Sequence, residues 1–202
     1  MGTALHSRPP PFELFFAPLE VTLKPSKLEC VRFAYIASKY GHAGQVRDDG
    51  TRYFDHPKAS AWIYIHELDC RNVRMICVLL LHDISEDTYL LSPYRMSLNF
   101  GIDIALDVHA LTKLPGKKES AEEFLQRIIE RGPEAILGKL IDRLHNLRTL
   151  SGCTEEKRKA QRAETCRFHL PMLVPALKSH GGEWAQLAVK VESLINQALD
   201  QR

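Results

Sequence analysis

Met75-Ile76-Cys77-Val78-Leu79-Leu80-Leu81-His82-Asp83-Ile84-Ser85-Glu86-Asp87-Thr88 is the stretch from which the rest of the chain can be read. Its first half, Met75 to Leu81, has no polar side at any helical phase, so as a helix it belongs inside a core. Directly behind it stand one imidazole and three carboxylates. On a helix His82 and Glu86 are spaced i, i+4, as are Asp83 and Asp87, so the four groups share one surface. Crowded carboxylates raise one another's pKa unless positive charge offsets them, and burial sharpens the conflict. Such a cluster at the end of a core helix points to a bound cation.

Working outward, Asn72 is placed to cap this helix, and Pro57 suits the first turn of the preceding one, which runs to about Leu68. Ser26 can cap a helix whose apolar residues Leu28, Val31, Phe33, Ala34 and Ala37 recur at helical spacing up to Gly41. Between these, residues 42–55 read as a loop, with Asp48, Asp49 and Gly50 as turn chemistry. Further helices are expected over 93–100, 103–111, 121–131, from Pro133 onward, over 154–177 and over 183–202. No segment alternates as a strand. The spacing predicts an all-α, single-domain helical bundle over 25–202. Residues 1–24 hold Pro9, Pro10, Pro11 and Pro18 among Phe12, Phe15 and Phe16, which reads as a proline-rich arm without a regular helix. Whether its rings pack on this domain or on a second subunit is open, and with it homo-oligomer formation.

The helix that Pro133 begins carries a second polar set. Ile136, Leu137, Leu140, Ile141, Leu144 and Leu147 fall on one stripe, while Lys139, Asp142, His145, Asn146 and Thr149 fall on the other. His56, immediately before Pro57, stands at a loop-to-helix junction where a side chain can be aimed inward. Two imidazoles and two carboxylates form a mixed nitrogen and oxygen donor set suited to a divalent metal, with manganese, iron, cobalt and zinc all chemically open. His-Asp pairs at helix ends are often solvated, and Asp142 beside Arg143 can be a surface ion pair. The set is more specific than any member.

Composition narrows the function. The chain of 202 residues is 45% hydrophobic and carries 27 basic against 25 acidic residues, a net charge of +2. That balance predicts no binding to bulk nucleic acid or to an anionic membrane. No apolar run approaches the roughly 18 residues of a membrane span, and no leader pattern precedes one. Five cysteines without a CxxC pair fit a reducing, cytoplasmic compartment better than a disulfide framework. No P-loop or dinucleotide fingerprint is present.

Several stretches, taken together and in order, resemble the hydrolase domain of RelA/SpoT-type alarmone enzymes, above all the stand-alone small alarmone hydrolases of the HD superfamily. They are His42-Ala43-Gly44-Gln45-Val46-Arg47, Gly50 through Tyr53 to His56-Pro57, Leu81-His82-Asp83 with Glu86-Asp87-Thr88, Phe100-Gly101, Leu111 to Leu114, Lys139 to Leu150, and Glu164-Thr165. The resemblance implies an HD-type bundle with His56, His82, Asp83 and Asp142 as metal ligands and manganese as the usual ion. It makes Glu86 and Asp87 the acid/base pair. Arg47, Asn146 and Thr149 are implied to face the nucleotide, with Arg143 adding phosphate charge. The reaction implied is removal of the 3′-pyrophosphate from (p)ppGpp, a small-molecule nucleotide substrate. Asp48 and Asp49 depart from the family, which usually has a basic residue after the arginine, and Arg52 stands where a small residue or proline is common. Adenosine alarmones therefore stay open, as do NADPH 2′-phosphatase activity on the same site and a non-catalytic nucleotide-sensing module.

Overall fold

A computed structural model describes residues 9–87, 91–113, 116 and 118–201, with the backbone alone for Glu86 and Asp87. The described residues are all-helical; the one β feature among them is an isolated bridge between Val46 and Arg52. They group into two compact units, Met1–Thr112 and Lys113–Arg202.

The first unit is built on α2 (Pro25–Gly41), α3 (Asp55–Trp62) and α4 (Val73–Leu81), with α4 packed against both others. Asn72 caps α4 by accepting from the Met75 amide at 3.3 Å, as the sequence predicts. Every side chain from Met75 to Leu81 is fully buried. Each such aliphatic side chain contributes about 1.5–3 kcal/mol relative to exposure, so this helix has no alternative face to turn outward. It is fixed laterally by Arg74, whose guanidinium donates at 2.7 and 3.0 Å to both carboxylate oxygens of buried Asp107 on α7 (Ile102–Leu111). The helix α6 (Pro93–Phe100) meets α7 through Gly101 alone, at φ +92°, a conformation glycine adopts without strain. The start of α2 is Pro25 itself, with Lys24 outside it, one step earlier than a Ser26 cap implies. Proline at the first helical position forgoes a donor that has no partner there anyway.

The proline-rich start corrects the expectation of an irregular arm. Phe12–Thr22 forms helix α1, with Pro11 just ahead of it and Pro18 inside. Only Pro18 breaks the helical bonding pattern, at a cost of about 3 kcal/mol or more. Against that, Phe15, Phe16 and Leu19 are buried at about 1.5–3 kcal/mol each. Their rings pack within this unit: Phe15 and Phe16 lie 5.3 and 5.4 Å from Tyr35 of α2, and Phe15 lies 6.1 Å from Trp62.

The second unit is arranged around α9 (Pro133–Arg148), which packs against α8 (Ala121–Arg131), α11 (Leu170–Ser179) and α12 (Gly182–Asp200). A reciprocal cap between Ser120 and Glu123 opens α8. Two helices widen into π-helical turns: α3 continues as Ile63–Glu67, and α10 (Glu155–Glu164) reaches α11 through Thr165–His169. No described helix is long and apolar enough to cross a membrane.

Replacing Phe15 by Ala is expected to lower unfolding stability by about 3–5 kcal/mol in urea titration. Val21→Ala, at an 87% exposed position of the same helix, is expected to stay within about 0.5 kcal/mol. Equal, small effects would show that α1 is not part of the folded core.

Candidate metal centre

The apolar helix α4 ends at Leu81, and His82 and Asp83 occupy a turn before the short helix α5 (Ile84–Asp87). One uninterrupted helix through all four polar groups, as the i, i+4 reading assumed, does not form. The break has a local cause in hydrogen bonding: His82 Nδ1 lies 2.9 Å from the Leu79 carbonyl oxygen. A carbonyl only accepts, so the ring donates from Nδ1, and Nε2 carries the lone pair.

That nitrogen faces His56. The two Nε2 atoms are 3.1 Å apart, and both rings are almost completely buried. Asp83 bridges them, with Oδ1 3.2 Å from His82 Nε2 and Oδ2 3.5 Å from His56 Nε2. Its side chain is 17% exposed, which leaves the cluster open to solvent on one side. Two imidazole nitrogens at this distance repel unless a proton lies between them. A divalent ion would take that proton's place, and two nitrogens with one carboxylate are a donor set that holds one. His56 reaches this point because α3 starts as a tight turn, His56 N–H donating to the Tyr53 carbonyl at 2.9 Å.

Tyr53 is the residue that spacing alone did not single out. Its hydroxyl donates to Asp83 Oδ2 at 3.1 Å, and its ring stacks on buried His42 at 4.7 Å and stands edge-on to His56 at 6.4 Å. The loop before it is shaped to present it. Arg47 N–H donates to the Thr51 carbonyl, Tyr53 N–H to the Gln45 carbonyl, and Asp49 Oδ1 accepts from the Thr51 amide and hydroxyl. Gln45 Oε1 in turn accepts from His42 Nδ1 at 2.7 Å. Arg47, expected at the nucleotide, lies with its guanidinium 5.9 Å from the Tyr53 ring centroid. The sequence did contain a signal: an aromatic hydroxyl three residues before a ligand at a helix start shares a turn with it. Arg52 pairs with Asp55 at 3.0 Å on the exposed side of this loop.

The second unit carries the remaining expected residues on α9. Asp142 is buried; its Oδ2 accepts from Lys139 Nζ at 2.8 Å and its Oδ1 from Asn146 Nδ2 at 2.7 Å. Thr149 donates its hydroxyl back to the His145 and Asn146 carbonyls and closes the helix. The stripe that could have been a solvated face is thus buried or half-buried. Arg143 has a different setting from the one expected of a phosphate ligand. Buried, it donates to Gln161, to Glu164 at 3.0 Å and to His169 Nε2 at 2.9 Å, tying α9 to α10 and its π-helical continuation. His169 must be neutral to accept that bond. Burial, then the positive charge of Arg143 and Lys139, pulls its pKa down to about 3. Glu86 and Asp87 lie on α5, and their side chains are outside the described residues.

A zebrafish protein, "Guanosine-3′,5′-bis(diphosphate) 3′-pyrophosphohydrolase MESH1", is 36% identical over 178 residues, which cover 87% of this chain and 88% of that protein. The chain belongs to the SpoT/Rel hydrolase-domain family. The Escherichia coli protein "Bifunctional (p)ppGpp synthase/hydrolase SpoT" is 33% identical over 171 residues, 80% of this chain but only 24% of SpoT, so the family match to SpoT is to a quarter of its length. A solved structure, described as a metazoan ortholog of SpoT that hydrolyses ppGpp, superposes with a TM-score of 0.66 at 25% identity, over 87% of this chain and 96% of the other. No family model matches the chain. Family membership and the His-His-Asp donor set together imply a divalent metal.

Tyr53→Phe removes only the hydroxyl that holds Asp83. It is expected to weaken divalent-metal binding about 10–100-fold in calorimetric titration, with the helical signal unchanged, in line with the loss of other groups that orient metal ligands. His169 gives a separate test. Its folded-state pKa lies below its unfolded value, so it contributes stability above pH 6.5 that is lost as pH falls toward about 3. Each pH unit inside that window costs up to about 1.4 kcal/mol. His169→Gln is expected to flatten this part of the stability profile; an unchanged slope would place the acid sensitivity elsewhere.

Proposed function

We propose that the chain is a metal-dependent 3′-pyrophosphohydrolase of guanosine 3′,5′-bis(diphosphate), with residues 25–202 as its HD-type hydrolase domain and manganese as its working ion. The observation that carries this reading is the facing His56, His82 and Asp83 set in a chain alignable over 88% of a hydrolase that bears that activity in its name. Asp142 is taken as the fourth ligand. In its support, the carboxylate is buried and already held against a cation, Lys139.

In this reading the metal supplies Lewis acidity and makes water a stronger nucleophile at neutral pH. The chain does the rest. His82 is held in one tautomer by the Leu79 carbonyl, and Asp83 in one orientation by Tyr53. Glu86 and Asp87, which follow the ligands directly on α5, serve as the acid/base pair, one carboxylate taking the proton from water as its oxygen attacks the 3′-β-phosphorus. Arg47 and the Asn146 and Thr149 end of α9 receive the nucleotide. Arg143 supports them by fixing α9 from behind rather than by touching phosphate, since its donors face Gln161, Glu164 and His169. Five free cysteines are in keeping with a reducing, cytoplasmic setting.

The test is a substrate panel read by ion-exchange chromatography: guanosine and adenosine tetraphosphates bearing 3′-pyrophosphate, NADPH, and ordinary 5′-nucleotides, each with manganese or with EDTA. Release of GDP and pyrophosphate, abolished by EDTA and restored by manganese, is expected. Turnover of NADPH or a 5′-nucleotide without any 3′-pyrophosphorylated substrate would sink the reading. Asp87→Asn is expected to slow turnover about 100-fold or more at saturating metal.

A further inference from the structure

All five cysteines are free, yet two that lie 47 positions apart meet across the packing of α2 against α4. Cys30 Sγ is 3.9 Å from Cys77 Sγ, and Cys77 Sγ is also 4.0 Å from the Cys30 carbonyl oxygen. The residues beside them, Val31 and Ala34 on α2 and Ile76 and Val78 on α4, are fully buried, so the two backbones are held in register. The remaining cysteines have other surroundings: Cys70 is buried with its thiol toward the Leu68 carbonyl, Cys153 is half-buried and Cys166 is exposed.

We propose that Cys30 and Cys77 form a modification site, a dithiol that a hydroperoxide oxidises to an intramolecular disulfide joining α2 to α4 without displacing either helix. The sulfurs are already in van der Waals contact, and rotation about the two Cα–Cβ bonds shortens their separation toward the roughly 2.05 Å of a disulfide. Their environments divide the labour. Cys30 is half-buried and can be reached from solvent, whereas Cys77 is fully enclosed. The hydrogen bond from Cys77 and the charge of Lys27 draw the Cys30 thiol down to about 6, against the opposing effect of burial. Its partner is pushed up by the same bond and by burial. Cys30 is therefore the attacking thiolate and Cys77 the resolving thiol.

The chemistry balances without a further reactant. The Cys30 thiolate attacks one peroxide oxygen, the O–O bond breaks, and the departing alkoxide or hydroxide takes up a proton. Cys30 is left as the sulfenic acid. The Cys77 sulfur then attacks the Cys30 sulfur, the S–O bond breaks, and hydroxide leaves with the Cys77 proton as water. The pair has lost two electrons and the peroxide has gained them. A resolving thiol in contact stops Cys30 from proceeding to sulfinic acid, the irreversible rung. This site uses none of the groups assigned to nucleotide hydrolysis, so it stands or falls separately from that reading.

The full-length protein is to be treated with hydrogen peroxide, alkylated under denaturing conditions, digested and mapped by mass spectrometry. A peptide pair linked through Cys30 and Cys77, two fewer alkylatable thiols, and reversal by dithiothreitol are expected. Cys77→Ser should instead leave a Cys30 sulfenic acid that dimedone traps, and Cys30→Ser should leave Cys77 alkylatable. Because the link ties positions distant in sequence, the oxidised protein should also melt at a higher temperature than the reduced one. Sulfinic acid at Cys30 in the unsubstituted protein would overturn the proposal, as would links to Cys153 or Cys166. So would a Cys30 that stays reduced while Cys166 oxidises, or an unchanged or lowered melting temperature of the disulfide form.

Discussion

One hydrogen bond organises the chemistry of this chain: the His82 ring donating from Nδ1 to the carbonyl of Leu79. It couples a helix that can only be buried to an imidazole that has only one nitrogen left to offer. Because Met75 to Leu81 have no exposed face, the carbonyl of Leu79 cannot shift to suit the ring. The ring conforms instead, and its free nitrogen comes to rest opposite His56. Asp83, next in sequence, then has a single useful place, between the two imidazoles with its second oxygen toward Tyr53. Hydrophobic burial thus sets the direction of a lone pair.

Much of this was legible beforehand, for a physical reason. The apolar run of α4 and the Asn72 cap have one stable reading each, and the ordered motifs around His56 and His82–Asp83 identified the donor set before any coordinates. What stayed hidden depended on partners far apart in sequence. Nothing near Arg143 announces Gln161, Glu164 and His169, so a basic residue on a polar stripe read as a phosphate contact when it is a buried tie between helices. The prolines of α1 misled in the opposite sense. Their local preference against helix is real, but burial of Phe15, Phe16 and Leu19 on Tyr35 and Trp62 outweighs the one interior break.

Each of the two units places polar groups in its interior, and each satisfies them by a different device. In the first, neutral and acidic groups converge with no resident positive charge among His56, His82 and Asp83, which makes that cluster receptive to a cation. In the second, the acids come with their bases: Asp142 with Lys139, Glu164 with Arg143. Buried pairs of this sort add less to stability than to uniqueness of packing, since removing one member strands the other. The neutral state forced on His169 belongs to that arrangement, an imidazole kept as acceptor by the guanidinium beside it.

The two π-helical turns, Ile63–Glu67 and Thr165–His169, give the chain a tolerance that its helices otherwise lack. A π turn holds one residue more than an α turn, so loss of a single residue there would restore ordinary helix and rotate everything beyond it by about 100°. After the first turn that rotation would fall on Leu68 and the linker to Asn72, leaving the position of His56 in α3 untouched. After the second it would sweep the whole inward face of α11 out of register, Leu173, Val174 and Leu177 included. Length variation in relatives of this chain is accordingly unequal at two sites that look alike in local geometry: admissible behind the metal-binding helix, and ruinous between α10 and α11.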